Sequence, residues 1–191
     1  MVAAGAMRLH ADGKSREAYA LLEAAAADGN AAWFAVEKVG LLLLDGETGQ
    51  AHDILSRTDE TCHPCWHLHR GNLAHSVGRP EAAAEHWRLQ VAAHPEEAAG
   101  WVTLGFFLLQ EADDPAAAED VFRQAAMHHP RHQQFHAWLG DVLYRLGRRD
   151  EAVAALRQAL EQPSADEEFT AGVVRFLADI EALDGAKKAG S

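Results

Sequence analysis

This sequence of 191 residues has only two cysteines, fewer basic than acidic residues, and no long uncharged apolar run. Lys and Arg together number 17 against 29 Asp and Glu, which gives a formal net charge of -12. Such a charge repels phosphate backbones and anionic lipid surfaces, so we expect neither nucleic acid nor a membrane as a partner. A membrane-spanning helix would need about 18 or more consecutive apolar residues, and none is present.

The two cysteines, Cys62 and Cys65, are too close together in the sequence for a disulfide between them to stabilise a fold. The fold must therefore depend on packing, and 48% of the residues are apolar, which is enough for one core. The first eight residues show no basic start followed by a long apolar run, which is the pattern of a secretory leader. We therefore expect a soluble protein of the cytoplasm.

A pattern of small and large residues repeats along the chain. Alanine recurs at positions 18, 51, 83, 118 and 152, with spacings of 33, 32, 35 and 34 residues. Each alanine is followed four residues later by a bulky apolar side chain, namely Leu22, Leu55, Trp87, Phe122 and Leu156. Another small residue lies 11 to 13 residues before each alanine, and turn signals such as DGKS, VGRP and LGRRD separate the two. This spacing predicts five helical hairpins.

The last two units resemble the tetratricopeptide repeat, a helix–turn–helix of about 34 residues with the pattern W-x2-L-G-x2-Y, A-x3-F, P. The fourth unit contains WVTLGFFLL, followed by Ala118, Phe122 and Pro130, and the fifth contains WLGDVLYRLGRRDEAVAALRQAL. The resemblance covers residues 1–166 in five degenerate units. It implies an all-α fold, a right-handed superhelical solenoid of antiparallel helix hairpins.

The predicted domain is a single one over residues 1–184, and its units span 1–32, 33–63, 64–97, 98–132 and 133–166. A capping helix over 167–184 is expected to follow, because a solenoid must cover its last hairpin. Its apolar stripe would consist of Phe169, Val173, Phe176, Leu177 and Ile180. Ser164 with Glu167 suggests a capping box at its start. Residues 185–191 are predicted to form a flexible tail.

The stretch TCHPCWHLH, residues 61–69, contains the candidate metal ligands Cys62, Cys65, His67 and His69. A structural zinc site needs four nitrogen or sulfur ligands, and a second C-x2-C or H-x3-H pair nearby is missing. The dipeptide His-Pro recurs at the repeat period, so the stretch is better interpreted as a turn between repeats. We therefore predict no metal and no cofactor. A zinc or copper protein that uses this cluster together with His75 is the alternative.

No motif in the sequence predicts catalysis. His132 and His136 lie one helical turn apart, but the glutamate that would make a zinc hydrolase motif is Gln133. No G-x-S-x-G sequence occurs, and the carboxylates are spread along helix surfaces rather than paired. We therefore predict that the chain is not an enzyme.

In proteins that this sequence resembles, the first helices of the units line a concave groove that holds a peptide or a helix of a partner. Counting from the small residue of each first helix gives the predicted partner-binding residues Leu41, Leu44, Leu68, Asn72, His75, Val102, Phe106, Leu109, Asp141, Tyr144 and Arg145. An apolar floor with acidic surroundings favours an amphipathic segment that carries basic residues. The predicted function is a protein–protein interaction scaffold or adaptor, as a monomer or weak homo-oligomer. An accessory subunit of a partner enzyme is a further alternative.

Overall fold

The computed structural model describes residues 2–189, and within that range the secondary structure is entirely helical, without a strand. The helices are α1 (Val2–Ala11), α2 (Ser15–Ala27), α3 (Ala31–Leu44), α4 (Thr48–Ser56), α5 (Trp66–Ser76), α6 (Pro80–Ala93), α7 (Ala98–Gln110), α8 (Pro115–His128), α9 (Gln133–Arg145), α10 (Arg149–Leu160) and α11 (Glu167–Ala189). They form five consecutive helix hairpins followed by α11, so the predicted all-α helical-repeat fold is confirmed. No helix in the described range is long and apolar enough to cross a lipid bilayer.

The turns inside the hairpins follow the predicted signals. Gly78 and Gly147 have φ values of 73° and 77°, in the left-handed region that glycine adopts without steric cost. The fourth hairpin instead has Asp113 at φ 50°, which a short polar side chain tolerates. Asp114 then caps α8, because its Oδ1 accepts a hydrogen bond from the Ala117 amide at 2.9 Å.

By its contacts the chain divides into two compact units, Met1–Gly100 and Trp101–Ser191. The N-terminal unit has one apolar cluster of Ala6, Ala18, Leu22 and Leu41, and a second of Val39, Leu42, Ala51, Leu55 and Leu73. The C-terminal unit has a cluster of Ala137, Leu156, Ala159, Val173 and Ile180. Each cluster contains a large residue of the repeat pattern, namely Leu22, Leu55 or Leu156. One domain over residues 1–184 stays a prediction.

The repeat pattern corresponds to a direct contact inside each of the third and fourth hairpins. A Cβ atom added at Gly71 would overlap the Trp87 ring, and one added at Gly105 would overlap the Phe122 ring. Trp87 is 3% exposed and Phe122 is fully buried. Only glycine lets the two helices approach this closely, so the small residue of the first helix and the large residue of the second are one packing unit.

Gly71→Ala is expected to lower the free energy of unfolding by about 1–3 kcal/mol, because the buried Trp87 ring must shift to admit a methyl group. Trp87 is also held by a hydrogen bond from its Nε1 to Asn72 Oδ1 at 2.9 Å. The matched control is Gly49→Ala on α4, where an added Cβ would meet no described atom within 4 Å. Urea unfolding measures both. Equal stability of the two variants would contradict the contact.

Helix α11 packs its apolar side on the last hairpin. Val173 and Ile180 are 6% and 1% exposed, and Phe176 packs against the same cluster. The capping box predicted for Ser164 and Glu167 is wrong. The N-cap residue is Asp166, whose Oδ1 accepts from the Phe169 amide at 2.9 Å.

Ser164 supports this cap from two residues earlier, because its Oγ accepts from the Asp166 amide at 3.2 Å. Helix α11 also runs to Ala189, past the predicted end at 184. The flexible tail stays a prediction, and residues 190–191 lie outside the described residues.

Candidate functional site

Three of the predicted groove residues lie in the core. Leu41 is 1% exposed, Leu68 is 8% exposed and Leu109 is 7% exposed. A partner could reach these side chains only by separating the helices, so they stabilise the fold instead of offering a surface. Leu44, at the end of α3, is 64% exposed.

The polar groove residues of the N-terminal unit are engaged with Trp87. Asn72 accepts the hydrogen bond from the indole Nε1 at 2.9 Å, and the His75 ring lies 5.7 Å from the indole ring. Both residues therefore serve to hold the core tryptophan of the third hairpin. Both lie on α5, the first helix of the third hairpin, where their polar side chains border the buried Trp87 ring.

The C-terminal unit contains a row of half-buried aromatic side chains, which we call the aromatic row: Phe106, Trp138 and Phe169. The Phe106 ring lies 5.0 Å from the Trp138 ring, and Trp138 lies 6.4 Å from Phe169. The three residues belong to α7, α9 and α11, and Val102 is half-buried one turn before Phe106 on α7. The row is a partly exposed apolar strip of the kind that anchors a partner.

An apolar cavity of about 290 Å³ lies between α9, α10 and α11. Its lining residues, which define the α9–α11 cavity, are Ala137, Trp138, Asp141, Leu156, Phe169, Gly172, Val173 and Phe176. Asp141 supplies the single charged side chain of this lining. Concave apolar sites with a few placed polar groups are the usual form of a binding pocket.

The remaining predicted residues lie at or beside this cavity. Asp141 Oδ2 accepts a hydrogen bond from Arg145 Nε at 3.0 Å, and both side chains are partly exposed. The Tyr144 ring packs edge-on against Phe176 at 5.3 Å and lies 5.8 Å from the Arg149 guanidinium. Tyr144 therefore holds α11 in place, while Asp141 faces the cavity.

The predicted partner-binding residues did not include Trp138, Phe169 or Phe176. The sequence nevertheless contains a signal for Trp138. In α7 the tryptophan lies four residues before the glycine, and Trp101 is 3% exposed. In α9 the tryptophan is displaced to two residues before the glycine, which moves it to another side of the helix. His136 takes the vacated position, is 4% exposed, and donates from Nε2 to the Pro130 carbonyl at 2.9 Å.

The candidate ligands of residues 61–69 do not converge. Within residues 2–182, whose side chains are described, no three His, Cys, Asp or Glu residues form a metal-binding group. Cys62 and Cys65 are free thiols, and burial raises the pKa of Cys65 to about 12, which keeps it protonated and a poor ligand. His69 points to Gly40 of α3, where an added Cβ would lie 3.1 Å from its Cε1. Burial also lowers the pKa of His69 to about 4.

The stretch is instead a structural turn. His63 is 4% exposed, its Nε2 lies 2.8 Å from Glu37 Oε1, and its Nδ1 accepts from the Cys65 amide at 2.9 Å. Gln90, which is fully buried, accepts from the Leu68 amide in the first turn of α5 at 2.9 Å. Its Nε2 donates to the Pro64 carbonyl at 2.9 Å. Gln90 thus caps α5 from the neighbouring helix, where the local sequence provides no capping side chain.

Comparison with known proteins finds a similar repeat in part of the chain. Residues 109–173 match the family model described as tetratricopeptide repeat. The resemblance predicted from the sequence is confirmed. A search of the curated proteins finds no match.

Solved structures with this fold extend the likeness over most of the chain. TTC0263, described as a thermophilic TPR protein in Thermus thermophilus, is 17% identical with a TM-score of 0.62, covering 95% of this chain and 97% of that one. YrrB is 15% identical with a TM-score of 0.57, covering 89% and 88%. MamA AMB-1 is 23% identical with a TM-score of 0.57, covering 82% and 88%. At these identities the likeness shows the fold.

In terms of the tetratricopeptide repeat, the α9–α11 cavity lies between the first helix of the fifth hairpin and the helix that follows the repeats. The matched residues 109–173 include Trp138, Asp141 and Phe169. The match therefore includes most of the cavity lining and ends within α11, before Phe176.

Proposed function

We propose that this protein is an interaction scaffold that binds a peptide or helix of a partner protein at the α9–α11 cavity and the aromatic row. The observation that carries the proposal is the apolar cavity of about 290 Å³ beside the half-buried Trp138. Amphipathic helices are commonly bound by such grooves through apolar anchors. YrrB is described as a TPR protein with an unusual peptide-binding site, which supports peptide binding on this fold. The proposal assigns the chain no catalytic activity.

The charges favour a partner segment with a basic residue next to an apolar anchor. Asp141 lines the cavity, its side chain is 36% exposed, and the whole chain has a formal net charge of -12. A Lys or Arg of the partner could replace Arg145 as the contact of Asp141, while a Leu or Phe enters the cavity. The electrostatic part of this binding weakens with salt, whereas the apolar part does not.

Gly172→Leu is expected to block the cavity without harming the fold. Gly172 lines the cavity, and an added Cβ there would meet no described atom within 4 Å. A leucine at this helical position fills the cavity and removes the flexibility of glycine, so stability should stay equal or rise by about 0.5–1 kcal/mol. Peptides selected from a displayed random library on the wild-type chain should bind the variant at least about tenfold more weakly, since an apolar anchor loses its pocket.

The matched control is Gly49→Leu, the same substitution on an exposed position of α4, where an added Cβ is also free of described atoms within 4 Å. The selected peptides should bind it as they bind the wild-type chain in a fluorescence-anisotropy titration. Peptides that bind Gly172→Leu with undiminished affinity would show that the site lies elsewhere. A library that yields no binding peptide would remove the support for peptide recognition.

A further inference from the structure

Four histidines lie at the turn between the fourth and fifth hairpins, in the C-terminal unit: His128, His129, His132 and His136. The first two end α8, His132 is the N-cap residue of α9, and His136 lies one turn further along α9. Within the described side chains they do not converge as metal ligands. The chemistry that this turn can perform is therefore the uptake of protons.

His132 is the histidine of this turn that a proton disturbs most. The residue is half-buried, and its Nδ1 is buried without a hydrogen-bond partner among the described residues. The neutral ring fits this place by holding its proton on Nε2, which leaves only a lone pair on Nδ1. The protonated ring would bury an N–H donor with no acceptor, which costs free energy. Burial is accordingly the main cause that lowers the pKa of His132.

The charges beside His132 add to this cost. The His129 ring lies 6.3 Å from the His132 ring, and the charges of His129 and His136 lower the pKa of His132 further. Arg131 precedes His132 in the turn, and His128 stacks on a tryptophan ring of α7 at 5.5 Å. Acid therefore gathers positive charge at this turn, in a chain whose formal net charge is -12.

Ring contacts join His132 to the α9–α11 cavity. Phe135 is fully buried, and its ring lies 4.6 Å from the His132 ring and 5.6 Å from the Trp138 ring. Trp138 lines the cavity and lies 6.4 Å from Phe169 of α11. Since side chains in a core are closely packed, a displaced His132 ring would leave Phe135 without a neighbour on one side. Trp138 would then lose part of its support.

A hydrogen bond joins the start of α9 to the opposite wall of the cavity. Gln133 is 2% exposed, and its Oε1 accepts from Thr170 Oγ1 of α11 at 3.1 Å. Thr170 follows the cavity residue Phe169 directly. The acidic residues in the first turn of α11 are Glu167 and Glu168, which are exposed, so water screens their attraction for a positive charge at the turn. The first turn of α9 is thus packed against both walls of the cavity.

We propose that protonation of His132 displaces its ring, loosens the first turn of α9 and thereby weakens peptide binding at the α9–α11 cavity. This inference rests on the proposed function and adds its regulation by pH. Positive charge at the turn also opposes a basic partner segment, so packing and electrostatics act in the same direction. Because the pKa of His132 in the fold lies below the ordinary histidine value of about 6.5, binding is intact above that pH and is lost as the pH falls below it.

The test compares peptide affinity at about pH 7.5 and about pH 5.5, on either side of the ordinary histidine pKa. The probe is a library-selected peptide that contains no Asp, Glu or His, so that it does not titrate itself. The full-length chain should bind it at least about fivefold more weakly at the lower pH. His132→Phe keeps a ring against Phe135 but takes up no proton, so it should lose most of this dependence. The matched control is His52→Phe on α4, whose side chain is 64% exposed, and it should keep the dependence.

Two spectroscopic readouts need no peptide. With fluorotryptophan incorporated, the fluorine NMR signal of Trp138, assigned through Trp138→Phe, should move as the pH falls below about 6.5 in the wild type and stay in place in His132→Phe. Nitrogen NMR of the histidine rings should show neutral His132 with its proton on Nε2. Its titration should coincide with the movement of the Trp138 signal.

Equal affinity at the two pH values would overturn the regulation and leave peptide binding intact. A pH dependence that His132→Phe retains in full would overturn it too, because another group would then be responsible. A library that yields no binder removes the proposed function, and a Trp138 signal that ignores pH separately contradicts the link from His132 to the cavity. Circular dichroism must show the wild type folded at the lower pH, since global unfolding would contradict a local change. Should His132→Phe fail to fold, the two titrations of the wild type decide, because different midpoints for His132 and Trp138 contradict the proposal.

Discussion

Phe122→Ala is expected to lower the free energy of unfolding by about 3–5 kcal/mol, the usual cost of truncating a buried phenylalanine. Phe122 is fully buried, and its ring occupies the space that Gly105 leaves open on α7. The ring also packs against Phe106 and Trp138, each at 5.7 Å. Removing it leaves a cavity that the glycine has no side chain to fill, so the site cannot collapse easily. Urea unfolding, followed by circular dichroism, measures the loss.

The matched control is Phe106→Ala, the same truncation on the half-buried side of the same aromatic contact. It should cost clearly less stability, because solvent already reaches part of the ring. It should instead weaken the binding of selected peptides by about 1–3 kcal/mol, as aromatic anchors commonly do. If the two variants were equally destabilised and bound peptides alike, the distinction between core and groove would be wrong.

The hairpins were predictable because their signal is local and repeated. Gly71 contacts Trp87, and Gly105 contacts Phe122. In each pair, a small residue on the first helix of a hairpin faces a large residue on the second helix. Each contact lies inside one hairpin, so the spacing along the chain fixes it. The repeat pattern therefore predicts both the hairpins and the contacts between their two helices.

The exposure of the predicted groove residues does not follow from the repeat pattern, because it depends on which helix covers which side chain. Leu41, Leu68 and Leu109 lie where a groove residue was expected from counting, yet each is buried. A position within a repeat gives the side of the helix, but the neighbouring helices decide how much of that side is covered. Trp138 and Phe169 show the converse, since they meet only because α11 packs against α9.

The histidine-rich stretch shows the same limit for chemistry. The local spacing made Cys62, Cys65 and His69 candidate metal ligands, but in the folded turn their side chains contact different neighbours. The partner of His67 is His86, which is brought to it by the antiparallel pairing of α5 and α6. A side-chain contact across a hairpin has no short sequence signature, so only the fold reveals it.

The last helix should be required for stability. Removing residues 167–191 takes away Val173 and Ile180, which are 6% and 1% exposed, and the apolar side chains packed beside them. Leu156, now 1% exposed, would face water. At about 25 cal/mol per Å² of apolar surface, a helix that buries several large side chains contributes several kcal/mol. The shortened chain should therefore melt at a much lower temperature and aggregate.

The matched control is a chain that ends at Asp184, which keeps the whole predicted capping helix and removes only 185–191. It should melt with the full-length chain and elute as a single species in size-exclusion chromatography. The ion pair between Arg157 and Glu181, at 2.6 Å, is exposed on both sides and adds little, so apolar burial must account for the difference between the two truncations. Because α11 also forms one wall of the α9–α11 cavity, the chain that lacks residues 167–191 should lose peptide binding as well. An unchanged melting temperature and a monomeric profile for the chain lacking 167–191 would show that this helix does not cap the repeats.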